Sequence, residues 1–421
     1  MKKTILIGAG FSYDLGMPLT ADFTETFLSL FDNNSVKKLE DLLSSNQPYT
    51  NGRPINRKAI SEGIGLILDY KKNNGKNYEE LLGNIQNLEN EPGKNQSDRD
   101  SYSYLFSSLY KTIYFILRYY QIASFNTLYQ LNAKLYSNIK NILNQNETWI
   151  FSLNHDLFIE MLCSDFQIPI TYGDYSKIIF PIDNRNLEEK ISLTFSEREK
   201  LTIGNEFFFN NKFGVNLIKL HGGLSELEYN DRKMLCNIEI EGKTSKEIFE
   251  GFLKIDQMAY YQNGRPTLGG KDMIITNIDG DLDVITKSML TGGKKYSKTL
   301  KPKKGEEKLL LFEEVLNTTD ELLIIGYGFG DKHVNFRIID QMAKKKNFSI
   351  RIIDPIKIRL PESFEAYDYD NRIKRAFCGA PAWIEYSESE KWNTQQLDDL
   401  KKTDFYRLEI KKIVAKQLQT Y

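Results

Sequence analysis

Cysteine is scarce in this chain: Cys163, Cys236 and Cys378 are the only three in 421 residues, widely scattered and with no Cys-x-x-Cys pair. A zinc ribbon presents two such pairs, so a structural zinc is not expected, and buried free thiols in a reducing compartment fit the spacing better. An excess of one charge is also missing. Lys and Arg total 56 against 57 Asp and Glu, a formal charge of −1, which argues against a surface that grips nucleic acid throughout. No apolar run could span a bilayer, and the stretch Ile5–Ile7 is too short for the core of a signal peptide, so a cytoplasmic location is expected. There is no internal repeat, heptad array or low-complexity tract.

What is present supports a packed protein. Hydrophobic residues make up 41% and aromatic residues 12%, enough for a core and too many for wholesale disorder. The length suits two or three domains, or one large α/β domain carrying an insertion. Apolar strands are predicted at 3–8, Trp149–Leu153, Val215–Leu220, Glu321–Ile325 and Ser349–Ile353, with a further one at Ile168–Thr171. Helices are predicted from Leu19–Thr20, from Asp156, near 306–317 and near 332–345. Tyr102–Tyr120 places Leu105, Leu109, Ile113 and Ile116 on one helical face. Ser44–Asn56 and Glu89–Ser101 read as loops, 174–213 reads as mostly loop, and the residues after Gly223 are poorly patterned. Seven lysines in Lys294–Lys308 suggest a solvated loop, with a partner or nucleic-acid contact left open.

Strands alternating with helices imply a parallel sheet, whose ligands bind beyond the carboxyl ends of the strands. Four polar or glycine-rich turns fall there. In Gly8-Ala9-Gly10-Phe11-Ser12, two glycines would let the backbone approach a phosphate with free N–H groups. Asn154-His155-Asp156 ends the second strand; Asn154 could orient a water or hydroxyl, or the run could simply cap the following helix. His221 ends the third, before two glycines that leave room for a ligand, and could act as a base. Gly326-Tyr327-Gly328-Phe329-Gly330-Asp331 offers close approach to a sugar or base, with Asp331 an N-cap for the next helix. His155 is assigned a supporting role and His333 none.

Together, Ile7–Pro18, Phe151–Asp156, Leu217–Gly222, Leu322–Asn335 and Ile352–Pro355 resemble, in order, the motifs of the sirtuin superfamily, and more closely its SIR2-like bacterial branch associated with antiphage defence. Deacylating sirtuins continue Gly-Ile-Pro-Asp-Phe-Arg, whereas this chain runs Gly16-Met17-Pro18-Leu19-Thr20-Ala21-Asp22-Phe23. The Arg and the paired zinc cysteines are both missing, so protein deacylation is not implied. The resemblance implies an α/β, Rossmann-like parallel sheet flanked by helices, with a large helical insertion after the first βα unit. Its domains would be 1–23 and 147–390 for the catalytic part, 24–146 for the helical module and 391–421 for a C-terminal helix. The implied activity is cleavage of the nicotinamide–ribose bond of NAD, with NAD as substrate and no metal. Asn154 and His221 would be catalytic. Gly8, Ala9, Gly10 and Ser12 would hold the pyrophosphate, and Asp156 would hold the nicotinamide carboxamide or support the carbocation-like state. Gly326, Tyr327, Asp331 and Asp354 would face the adenosine half. A homo-oligomer and a HerA-type ATPase or other defence partner are the partners implied. Two readings from other classes remain beside it: a module that senses NAD or ADP-ribose without turnover, and an interaction or DNA-processing subunit.

Overall fold

A computed structural model describes residues 2–45, 55–267, 272–289 and 306–419. The strands in chain order are β1 (Lys3–Ile7), β2 (Glu147–Ser152), β3 (Ile170–Thr171), β4 (Ser176–Asp183), β5 (Asn186–Glu197) and β6 (Gly214–Lys219). Then come β7 (Leu227–Tyr229), β8 (Met234–Ile238), β9 (Tyr261–Gln262), β10 (Arg265–Pro266), β11 (Asp272–Thr276) and β12 (Leu282–Lys287). The last three are β13 (Glu321–Ile325), β14 (Ser349–Ile353) and β15 (Ile373–Ala376).

Seven of these form one sheet in the order β15-β14-β13-β1-β2-β6-β3, every neighbouring pair parallel. A parallel sheet is covered on both faces, which is why its strands read as continuous apolar runs rather than alternating ones. Ile5 pairs in register with Leu323 on one side and Ile150 on the other, and none of these three is more than 3% exposed. Burying each such side chain contributes about 2 kcal/mol. The chain winds outward from β1 through β2 and β6, then returns beside β1 at β13 and winds the other way. The crevice between the carboxyl ends of β1 and β13 is therefore a topological switch point.

A second sheet of six antiparallel strands, β11-β12-β7-β8-β5-β4, corrects the sequence expectation of loop and unpatterned chain between 174 and 289. The β4–β5 hairpin closes one end of it, with β4 at the edge, and Ile191, Leu193 and Phe195 are buried at alternate positions of β5. The first half of β5, Asn-Leu-Glu-Glu-Lys, is exposed, and that polar run hid the alternation behind it.

The chain divides into two compact units. The first takes 1–17, 124–289 and 298–407 and holds both sheets; the second takes 18–123, 290–297 and 408–421. Described residues of the second unit are helical over Thr20–Ser29, Asn33–Ser45, Arg57–Lys72, Tyr78–Glu89 and most of Gln96–Ser124. Its core includes Phe27, Ile60, Leu81, Ile85, Leu105, Ile113 and Ile116, each fully buried. The Tyr78 N–H donates to Thr24 Oγ1 (3.0 Å), and the Thr26 and Tyr120 hydroxyls meet at 2.9 Å. Loop Glu89–Ser101 is shorter than the composition suggested, because the long helix begins at Gln96. Most of loop Ser44–Asn56 lies outside the described residues.

Residues 124–146 belong with the sheets rather than with the helical unit, a departure from the sequence boundary at 146. The cause is local. Tyr136 donates its hydroxyl to Phe11 O (2.8 Å), Asn132 donates to Asp14 O (2.7 Å), and Tyr129 stacks on Phe158 at 5.2 Å. The expected C-terminal helix is two, Thr394–Thr403 and Tyr406–Gln419. No described helix is long and apolar enough to cross a membrane.

Candidate functional site

The four turns singled out by sequence all lie at carboxyl ends of parallel strands in the first unit, on β1, β2, β6 and β13. Gly8–Ser12 folds into the short helix Ala9–Tyr13 directly after β1. The Gly8 N–H donates to Ile325 O and the Gly10 N–H to Gly326 O, both at 2.9 Å. This corrects the expectation that Gly8 and Gly10 offer free donors to a pyrophosphate. Their glycine identity has another cause. A Cβ on Gly8 would lie 2.6 Å from Gly326 O, and one on Gly326 would lie 2.4 Å from Gly10 Cα. Gly326 also has φ +65°, a left-handed conformation that glycine alone adopts freely. The two loops interlock backbone against backbone. Ala9 stands at the start of the short helix and is partly exposed.

Side chains tie the next turn to the first. Asn154 donates its amide to Gly8 O (2.9 Å) and to Ser12 Oγ (3.1 Å), and Ser12 donates to Asp156 Oδ1 (3.0 Å). Ser12 is 1% exposed, so its hydroxyl holds this network and is not presented to a pyrophosphate, a second correction. Asn154 Oδ1 has no protein donor among the described residues, which leaves an acceptor over the turn. Asp156 Oδ1 also accepts the Phe158 N–H (3.0 Å), so the helix begins at Phe158 rather than at Asp156. Burial pushes the Asp156 carboxyl above the ordinary carboxylate range, opposed by nearby Lys219 and by the hydrogen bonds from Phe158 and Ser12.

His221 follows β6. Its Nε2 lies 2.7 Å from Asp331 Oδ2, both side chains being largely buried. Asp331 caps the helix Lys332–Lys344 as expected, its Oδ1 accepting the N–H groups of His333 and Val334. One carboxylate thus anchors a helix and orients a histidine on another strand. His155 supports the same corner, with Nδ1 3.2 Å from Gly222 O and its ring 6.4 Å from that of His221. The room expected beside Gly222 and Gly223 is filled. A Cβ on Gly222 would meet Ser288 at 2.6 Å, and one on Gly223 would meet Lys219 Cδ at 2.8 Å.

In the Gly326–Asp331 loop, Tyr327 is buried and its hydroxyl is already engaged, 2.9 Å from Asn335 Oδ1 and 3.0 Å from the Asp331 N–H. Phe329, also buried, has φ +57°, an outlier for a bulky residue and a mark of a loop held by its surroundings. Gly328 and Gly330 are exposed and face open space, unlike Gly326. Asp354 stands at the end of β14, where its Oδ1 accepts the Ile356 N–H (3.0 Å) and burial raises its carboxyl. It lines a narrow space with Arg375 and Phe377, apart from the Asn154 network.

Sequence reasoning missed the charged support beneath these turns. Lys219, 1% exposed, pairs with Glu160 Oε1 (2.6 Å) and donates to the Asp156 carbonyl. Burial raises the Glu160 carboxyl, against the pull of Lys219. Lys308 donates to Lys219 O (2.8 Å) and pairs with Glu226 (2.5 Å), while burial pulls its ammonium below the ordinary lysine range. The signal available was a lysine inside the apolar run Val215–Leu220. Residues 294–305 of the lysine-rich segment lie outside the described residues, and Lys308 at its end is buried rather than solvated.

Among the described residues, no three His, Cys, Asp or Glu side chains gather to hold a metal ion. Neither a protein-family model nor a curated protein matches this chain.

Proposed function

We propose that this chain is an NAD hydrolase of the sirtuin superfamily, cleaving the bond between nicotinamide and ribose to give nicotinamide and ADP-ribose. The observation that carries this reading is one corner of the first unit. There Asn154 lies hydrogen-bonded to the Gly8–Ser12 turn, and neighbouring strands present His221, itself fixed by Asp331. The switch-point crevice of a parallel sheet is where dinucleotides bind, which supports a Rossmann-like reading of the seven strands.

The nicotinamide nitrogen of NAD is cationic, so this leaving group departs neutral and needs no acid. The site must stabilise positive charge growing on the ribose and deliver water. Asn154 Oδ1 accepts a hydrogen bond from a ribose hydroxyl or the attacking water. Asp156 lies next to it and supplies negative charge when ionised. His221, oriented by Asp331 through Nε2, takes a proton from the attacking water. A base so placed contributes roughly 10²–10⁴-fold. Asp331 is then a positioning residue rather than an adenosine contact. With the Gly8 and Gly10 amides engaged, the pyrophosphate would rest on the Ala9 end of the turn and on the exposed Gly328–Gly330 backbone. A role in antiphage defence by NAD depletion, as a homo-oligomer or with a HerA-type ATPase, belongs to the same proposal.

The test is nicotinamide release from NAD by the purified protein, alone and with products of neighbouring genes, followed chromatographically. His221→Ala and Asn154→Ala should each lower release at least about 10²-fold in a folded protein. Full activity in both variants would overturn the assigned roles, and tight NAD binding without product would favour a sensing module.

A further inference from the structure

The short helix Ala9–Tyr13 carries Ser12, whose hydroxyl links Asn154 to Asp156. A single turn is too short to hold itself, and its last carbonyls have no partner within it. The Gly326 backbone fixes its first turn. Its far end is fixed by residues from much later in the chain, all within the first unit. Arg407 donates from Nη1 to Tyr13 O, from Nη2 to Asp14 Oδ1 (3.3 Å) and from Nε to Asp404 Oδ1 (2.7 Å). Its guanidinium lies 3.5 Å from the Tyr13 ring centre. Beside it, the Asn132 amide donates to Asp14 O (2.7 Å) and to Thr403 Oγ1 (3.2 Å).

All three guanidinium nitrogens of Arg407 are engaged at this one place, which a planar fork can do and a lysine ammonium cannot. The Arg407 and Asp14 side chains are both largely shielded from solvent, so their attraction is screened less than that of a surface pair. Tyr13 O also accepts the Gly16 N–H (2.9 Å), and Ser12 O accepts those of Leu15 (3.1 Å) and Met17 (3.2 Å). The amides of Leu15, Gly16 and Met17 therefore report on this turn. Ser12 precedes Tyr13 directly, so any shift of the Tyr13 carbonyl carries the Ser12 hydroxyl with it, and with that the hydrogen bond from Asn154. Misplacing a reacting group by about 1 Å can cost roughly 10²-fold in rate.

We propose that Arg407 is a positioning residue for the carboxyl-end site: it clamps the end of the short helix so that Ser12 holds Asn154 in place, and it makes no contact with the dinucleotide. The proposal rests on the reading of that site as one for NAD hydrolysis. Because Gly326 fixes the pyrophosphate end of the turn, loss of the clamp falls on kcat and not on KM. In the full chain, Arg407→Ala should lower kcat for nicotinamide release roughly 10- to 10²-fold, with KM for NAD kept within about twofold. Amide hydrogen exchange at Leu15, Gly16 and Met17 should be at least about tenfold faster in the variant, with β1 and β13 unchanged. Arg407→Lys keeps a charged donor for Tyr13 O and should show both changes at smaller size, and it carries the comparison if the alanine variant does not fold. An unchanged kcat, or a raised KM with kcat intact, would overturn the proposal, as would unchanged exchange at these three amides. A wild-type protein that releases no nicotinamide would overturn the proposed function instead, and the exchange comparison would still decide whether Arg407 holds the turn.

Discussion

Two kinds of loop meet at the carboxyl ends of these strands, and they are held in different ways. The turns at Gly8–Gly10 and Gly326 are fixed by backbone against backbone, with 2.9 Å hydrogen bonds and no room for a Cβ on either side. The turns at Asn154–Asp156 and His221 are fixed by side chains: an amide, a hydroxyl, two carboxylates and a buried lysine. Glycine at the first pair is therefore a packing requirement, whatever ligand lies above it. Under the proposed function, the chemistry belongs to the second pair, where polar side chains converge.

The largest expected effect lies on the backbone side of this comparison. Gly326→Ala puts a methyl 2.4 Å from Gly10 Cα at φ +65°, and neither backbone can yield, so a loss of about 4 kcal/mol or more is expected in chemical denaturation. A near-normal midpoint would show that the interlocked loops separate freely.

On the side-chain side, Asp331→Asn keeps an oxygen for the helix cap and turns the atom facing His221 from acceptor to donor. Stability should stay within about 1 kcal/mol. Under the proposed function, kcat should fall roughly 10- to 10²-fold with KM for NAD unchanged, the split expected of a residue that acts through another. A rise in KM with kcat intact would instead return Asp331 to a ligand contact.

Asp156 gives a pH test. Its folded carboxyl holds a proton to higher pH than in the unfolded chain, because burial outweighs Lys219 and its hydrogen bonds. Its contribution to stability therefore falls as pH rises from the ordinary carboxylate range through the raised folded value. Asp156→Asn removes this dependence, so denaturation midpoints should shift in favour of the variant as pH climbs through that window. A difference between the two proteins that stays constant with pH would show that the carboxyl is not desolvated.

Gly328→Ala should have the smallest effect, within about 0.5 kcal/mol, since its Cβ meets nothing. Measured beside Gly326→Ala, it separates the structural glycine from the open one in the same loop.

The inner strands of the parallel sheet were legible because burial on both faces leaves an unbroken apolar run, as in Glu321–Ile325 after its first residue; the edge strand β15, Ile-Lys-Arg-Ala, was not, because only its first residue is buried. The antiparallel sheet was not, because β5 begins with five exposed residues and its pattern emerges only at Ile191. Asn154, Asp156 and His221 could be singled out from their places at strand ends. Their partners could not: Asp331 lies 110 positions from His221, and Ser12 lies 142 from Asn154. The packing of Gly8 and Gly10 against Gly326 was not legible either, since a sequence does not reveal which backbone will press against which.

By itself, then, the order of apolar runs and turns determined an α/β protein with polar groups gathered at one end of its parallel strands, because strand periodicity and turn chemistry are local properties. Only the tertiary structure decided that Gly8 and Gly10 face Gly326, that a buried Lys219 props the Asp156 turn, and that Asp331 holds His221. Each of these depends on the strand order β13-β1-β2-β6, which brings distant residues within a few ångströms and which no local pattern encodes.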